Sequence, residues 1–324
     1  MHVTTEVWLI TIAVLTAVLA VDLLIIGRRP HEPSMKEAGI AIGVFSGLAV
    51  LFGVGVGYWW GPQYAAEFFA GWLTEYSLSV DNLFIFVLIM ANLRVPRPLQ
   101  QFALMVGIVL ALIFRGIFIA VGAAAIEQFS WIFFLFGAFL IYTAVKLFGS
   151  YRHHDEEAEV TENAVMRWAK RVFPSSDEFH GTRLSIVEGG KRLMTPMFFV
   201  VVALGTTDLL FALDSIPAIY GLTQEPYLVF TANVFALMGL RQLYFLIGGL
   251  LQRLVYLSVG LSVILAFIGV KLILHAMHEY GFDSWLGFSG EVPIWVSLSF
   301  IIGVLAVTTV ASLAKSRRDA ALGR

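Results

Sequence analysis

The chain has 324 residues, of which 59% are hydrophobic and only 14% are charged, and its mean hydropathy is +0.83. About a quarter of the residues of an ordinary soluble domain are charged, so this composition predicts an integral membrane protein. The net charge of −2 says little about partners. The absence of cysteine excludes disulfides, thiolate metal sites and cysteine nucleophiles.

Apolar stretches of roughly 20 residues are long enough to cross about 30 Å of hydrocarbon. Nine such stretches occur, at roughly 7–27, 38–60, 67–91, 101–125, 128–149, 195–220, 227–249, 254–276 and 293–314. The first has no basic segment ahead of it, so we expect a retained span and not a signal peptide. We therefore predict an all-α, polytopic bundle of about nine transmembrane helices, forming a single membrane domain over 1–324.

The Lys and Arg residues that lie between these stretches fall only in alternate connections. The basic connections follow the first, third, fifth, seventh and ninth stretches, and the other connections contain no Lys or Arg. The positive-inside rule then places the N-terminus outside the plasma membrane and the C-terminus in the cytoplasm. The long connection 150–194 is expected on the cytoplasmic side.

Two acidic motifs lie inside the apolar stretches. They read Glu75-Tyr-Ser-Leu-Ser-Val-Asp81-Asn82 and Asp208-Leu-Leu-Phe-Ala-Leu-Asp214-Ser215-Ile-Pro217. A carboxylate inside the membrane costs about 2.5–3.5 kcal/mol on insertion scales. A chain that keeps four of them is most simply interpreted as one that moves a cation.

Segments 67–149 and 195–276 carry their polar residues in the same order. In each, an acidic motif is followed by an arginine in the next stretch and a lysine in the third, namely Arg115 and Lys146, then Arg241 and Lys271. Because three spans precede the second copy, the two segments are expected to lie upside down relative to each other. Inverted repeats with a site near the midplane are a recurring transporter plan.

The two acids of each motif are six residues apart, which on an unbroken helix is about 240° of rotation and about 9 Å of rise. Either each acid serves a different station along a path, or the helix is interrupted between them. Pro217 offers a cause for an interruption, since it cannot donate to the carbonyl four residues earlier. The first motif has no proline at the corresponding position.

The charges of the buried residues limit which ligands could bind. Four carboxylates against Arg115 and Arg241 leave about minus two, which suits one divalent cation or two protons. Oxygen ligands from the carboxylates, from the carboxamides of Asn82 and Asn233, and from the hydroxyls of Ser215 and Thr207 suit Mg, Ca or Mn. A carboxylate that loses its ion in a low-dielectric cavity is expected to take up a proton, which gives a route to metal–proton exchange. A purely structural role is an equally good interpretation of the two arginines, in which they pair with the acids and hold the helices in register.

The two motifs resemble those of the TerC family of integral membrane proteins, named for tellurium resistance. The resemblance runs from about Glu67 to about His278 and includes Thr195-Pro196 and Phe235-Ala-Leu-Met-Gly-Leu-Arg241-Gln-Leu-Tyr244. It is strongest to the Alx-type branch of bacterial manganese exporters.

The resemblance implies export of Mn²⁺ as a transported substrate. It also implies a metal site at Glu75, Asp81, Asp208 and Asp214. Many family members carry Glu where this chain has Gly205, and this departure bears on ligand number and ion preference.

Two other functions remain open at the level of the sequence. A Ca²⁺ or proton pathway would use the same acids. A membrane-protein assembly factor, as some plastid relatives resemble, would instead depend on the cytoplasmic connection. We expect no enzyme, no cofactor and no nucleic-acid partner, because there is no nucleotide motif, no HExxH and no nucleophile with a partner base.

Overall fold

The computed structural model describes residues 1–28, 34–129, 131–153, 168, 171–176, 178–188, 190–247, 256–280 and 292–321. These residues form ten helices and one hairpin. The helices are α1 (Thr5–Arg28), α2 (Met35–Trp60), α3 (Pro62–Asn92), α4 (Arg97–Gln128), α5 (Ile132–His153), α6 (Pro196–Tyr220), α7 (Pro226–Leu237), α8 (Leu240–Ile247), α9 (Leu257–Glu279) and α10 (Ile294–Ala321). The strands are β1 (Ser185–Glu188) and β2 (Lys191–Met194).

Eight segments of the described chain are long and apolar enough to cross a membrane, with α7 and α8 counted as one. They coincide with the second to ninth predicted stretches. The first predicted stretch is helical in α1, although its apolar part with described side chains, Thr5–Val21, is shorter than a span. The prediction of an all-α, polytopic membrane protein is confirmed.

The helices begin where their sequences favour a helix start. Pro62, Pro196 and Pro226 occupy the first turns of α3, α6 and α7, where a missing backbone N–H costs nothing. Helix α2 begins with a capping box: Ser34 Oγ accepts from the Glu37 N–H at 3.2 Å, and Glu37 Oε2 accepts from the Ser34 N–H at 2.8 Å. These signals fix the ends of the spans.

The two motif helices are unbroken, and the helix that follows the second motif is the broken one. Helix α3 runs through the whole first motif, and α6 continues through Pro217 to Tyr220. Of the two alternatives, the structure shows unbroken helices, and the interruption that Pro217 could cause does not occur. The stretch 227–249 instead divides into α7 and α8 at Met238, which is extended, and Gly239, whose φ of 83° favours glycine.

The described part of connection 150–194 contains a small antiparallel hairpin. Ser185 pairs with Met194 and Glu188 with Lys191, and Gly190 takes a positive φ of 77° at the turn. Thr195, just before α6, donates from Oγ1 to the Arg183 carbonyl at 2.5 Å. The hairpin is thereby attached to the start of the second motif helix.

Helix packing crosses between the two segments that carry the acidic motifs. Helix α3 packs on α7, α4 packs on α6, and α5 packs on α9. The α5–α9 contact is the tightest at the backbone: a Cβ on Gly137 would lie 2.7 Å from the Gly269 carbonyl oxygen, and one on Gly269 would lie 2.9 Å from that of Gly137. Only glycine fits at both positions.

Replacing Gly269 by alanine should lower the stability of the bundle. The added methyl group would force α5 and α9 apart, and overpacking of this kind costs about 1–3 kcal/mol. Thermal unfolding of the purified protein in detergent measures the effect. Gly303→Ala on α10 is the matched control, because a Cβ there meets nothing within 4 Å. Equal unfolding temperatures for both variants would contradict the close backbone contact.

Candidate cation site

A single arginine on α4 contacts side chains from three other helices. Arg115 makes two hydrogen bonds to Asp208 on α6, from Nε to Oδ2 at 3.3 Å and from Nη2 to Oδ1 at 3.2 Å. Its Nη1 contacts Oε1 of Glu75 on α3. The same Nη1 donates to Oδ1 of Asn233 on α7 at 2.9 Å and to Oγ of Ser215 at 3.4 Å. We call these five residues the Arg115 cluster.

The Arg115 cluster is closed to solvent and carries net negative charge. Arg115 is 1% exposed, Glu75 0% and Asp208 3%. Two carboxylates face one guanidinium, which leaves a formal charge of minus one. The bidentate geometry to Asp208 is the strong form of an arginine–carboxylate pair. Ser79 donates to Glu75 Oε1 at 3.4 Å, whereas Glu75 Oε2 has no hydrogen-bond partner among the described residues.

One acid from each motif, Glu75 and Asp208, therefore lies at the same site. They meet through one shared arginine. Asp214 lies six residues after Asp208, so helix geometry places it on a different side of α6. Its side chain points away from the cluster. Asp214 is half-buried, and its Oδ1 accepts from Thr143 Oγ1 on α5 at 3.1 Å. The acids of the second motif thus lie at separate stations.

The remaining predicted residues lie around this arrangement. Asn82 is buried on α3, and Arg241 is buried on α8, two residues after the break at Gly239. The side chain of Asp81 lies outside the described residues. Gly205 lies three residues before Asp208 and therefore on the same face of α6. A Cβ there would lie 3.2 Å from Leu110 Cδ1 on α4, so a larger side chain would displace Leu110.

An open cavity of about 640 Å³ lies at the end of the bundle where α3 begins and α6 ends. We call it the vestibule. Its polar lining includes Gln63, Glu67, Thr223, Gln224, Lys271 and His275. Tyr220 also lines the vestibule and donates to the Ile119 carbonyl at 2.7 Å. Tyr220 follows Ser215 of the Arg115 cluster by five residues, which is a rise of roughly 8 Å along α6.

Glu67 is the principal acid of the vestibule. It is 8% exposed, and its two oxygens accept from Gln63 Nε2 at 3.1 Å and from Thr223 Oγ1 at 2.7 Å. At the rim, the Met1 ammonium donates to Glu225 at 2.5 Å, and this hydrogen bond raises the pKa of the amino group. The vestibule thus combines anionic, cationic and neutral hydrogen-bonding groups.

Sequence reasoning found Asn233 as a candidate ligand but missed Thr143 and Glu67. A single threonine in an apolar helix is common, so Thr143 gives no signal of its own. Glu67 was detectable as an acid at the start of an apolar stretch. Among the described residues no three His, Asp or Glu side chains are arranged to hold a metal ion. Glu75 and Asp208 are set around a guanidinium instead.

These features define a polytopic membrane protein with a charged site buried between its helices. The family model described as "Integral membrane protein TerC family" matches residues 60–320. The chain belongs to the TerC family.

Several curated relatives align over nearly the whole chain. An uncharacterized membrane protein of Mycobacterium tuberculosis (strain ATCC 25618 / H37Rv) is 46% identical over 325 residues, covering 98% of this chain and 82% of the relative. An uncharacterized membrane protein of Myxococcus xanthus is 41% identical, with coverages of 96% and 92%. The "Putative membrane-bound redox modulator Alx" of Escherichia coli (strain K12) is 35% identical, with coverages of 92% and 91%. No solved structure matches the chain.

Removing Arg115 should destabilise the protein far more than removing either charge of its acids. Arg115→Gln leaves two buried carboxylates without a counter-charge, and breaking a buried pair in this way costs about 3–5 kcal/mol. Glu75→Gln instead leaves Arg115 paired bidentately with Asp208, and the cluster becomes neutral. Thermal unfolding in detergent, in the absence of divalent metal, measures the difference. A Glu75→Gln variant as unstable as Arg115→Gln would contradict this account of the charges.

Proposed function

We propose that the protein is a secondary transporter that exports Mn²⁺ across the plasma membrane in exchange for protons. The observation that carries the proposal is the meeting of Glu75 and Asp208, from the two motif helices, at a closed site inside a membrane bundle. Acids held in this position are costly to insert, and such residues mark ion pathways in membrane proteins. Their oxygen ligands, without any cysteine in the chain, suit a hard divalent cation.

The helix packing supports an inverted repeat. If 67–149 and 195–276 are related by a two-fold axis in the membrane plane, a contact between two non-equivalent helices of the two segments should occur twice, with the segments exchanged. Equivalent helices near the axis can contact each other. The contacts of α3 with α7, α4 with α6, and α5 with α9 follow this rule. In transporters built this way the ion site lies on the axis between the repeats, where the Arg115 cluster contains one acid from each.

The polar groups along α6 support a path from the cluster to the outside. Asp208, Asp214 and Tyr220 follow one another at six-residue intervals, or about 9 Å each. Tyr220 lines the vestibule, which lies at the end of the bundle that the charge pattern assigns to the outer face. An exported ion would pass from the cluster toward Glu67 in the vestibule.

A redox role, as the name of Alx suggests for that protein, would be indirect in this chain. The absence of cysteine removes thiol–disulfide exchange by its own side chains. Export of a redox-active metal ion would alter the redox balance of the cell through its metal content.

Cellular manganese measured by elemental analysis tests the proposal. Cells that lack related exporters and express the wild-type protein under manganese load should hold less manganese than cells with the empty vector. Asp208→Asn and Asp81→Asn should remove this difference, because each takes away one intramembrane carboxylate. Glu127→Gln is the matched control, since Glu127 is exposed near the end of α4.

Equal manganese content in all of these cells would reject the export of this ion. An activity in membrane-protein assembly that survives both aspartate variants, and is lost when connection 150–194 is replaced, would favour an assembly factor.

A further inference from the structure

The guanidinium of Arg115 engages the oxygen atoms that the proposed function assigns to the transported ion. It contacts Glu75 and makes hydrogen bonds to Asp208, Ser215 and Asn233, with the measured bonds between 2.9 and 3.4 Å. Each of these four side chains belongs to the ligand set expected for a hard cation. In this conformation, therefore, a protein cation stands where the transported cation would bind.

The formal charge of the Arg115 cluster depends on which cations it holds. With Arg115 in place the formal charge is minus one, and Glu75 Oε2 is buried without a hydrogen-bond partner among the described residues. A divalent ion that replaced the guanidinium would bring the charge to zero and could use the free oxygen. A divalent ion added beside the guanidinium would leave plus one. A divalent ion on Glu75 and Asp208 would compete with the guanidinium for the same oxygen atoms and would repel it at short range, so ion and guanidinium exclude each other.

We propose that Arg115 is an internal competitor of the transported ion, which holds Glu75 and Asp208 in the ion-free conformation and leaves them when a divalent cation binds. This inference rests on the proposed function and adds a specificity-determining residue to it. A monovalent cation brings the same charge as the guanidinium without its directed N–H donors, so it does not displace Arg115. A divalent cation does. Return of the guanidinium to the two carboxylates expels the divalent ion.

Equilibrium binding of Mn²⁺ to the purified full-length protein, with transport measured in parallel in proteoliposomes, tests this role. Arg115→Gln should bind Mn²⁺ at least ~10-fold more tightly than wild type, while transport becomes slower because nothing expels the ion. Asp208→Asn should bind at least ~10-fold more weakly. Arg97→Gln is the matched control: Arg97 is exposed at the start of the same helix, and both readings should match those of wild type.

Arg115→Gln is expected to be unstable, so a second pair of variants tests the competitor role independently. Glu75→Gln contains one acid and one arginine, whereas Glu75→Gln with Arg115→Gln contains one acid and no competitor. The double variant should bind Mn²⁺ at least ~10-fold more tightly than the single variant. Manganese should also raise the unfolding temperature of Arg115→Gln more than that of wild type.

The possible failures are distinguishable. If wild type binds and exports Mn²⁺ but loss of Arg115 leaves affinity unchanged or weaker in both backgrounds, the competitor role is wrong and the proposed function stands. If neither wild type nor any variant binds or moves a divalent ion, the proposed function itself is wrong.

Discussion

The buried interaction of one guanidinium with two carboxylates determines how the centre of this bundle is arranged. Arg115 connects α4 to α3, α6 and α7 through side chains that are almost completely withdrawn from solvent. Each of these charges would be prohibitively unfavourable alone in a low-dielectric interior. The helices that carry them must therefore pack so that the charges meet, and this requirement fixes their heights and rotations more strictly than apolar packing does.

Much of this arrangement follows from the sequence, because its causes are local. Hydropathy locates the spans. The spacing of six residues predicts that Asp208 and Asp214 contact different neighbours. The repeated order of polar residues predicts that the two motifs share a site. Sequence spacing does not reveal which arginine they share, since Arg115 and Arg241 occupy equivalent places in the pattern. That choice depends on the packing of α4 against α6, which is a tertiary property.

The position of the helix break has a similar physical explanation. Pro217 is the visible helix breaker, yet it lies three residues before the end of α6, where membrane helices tolerate the loss of a hydrogen bond. The true break, at Met238 and Gly239, has no such marker because a glycine in an apolar stretch is usually compatible with a continuous helix. Gly239 packs against Phe45 of α2, with a Cβ position 3.2 Å from its ring, so distant contacts determine the break.

The glycine contact between α5 and α9 limits the way in which the two halves of the bundle can move. Where Gly137 and Gly269 bring two backbones together, any separation would lose the close contacts between the backbones and with the side chains of Ile141 and Ile273. Pivoting about that line preserves the contact. The third helices of the two segments would then act as a pivot. Helices farther from this pivot would undergo larger displacements, and these include the helices that carry the carboxylates.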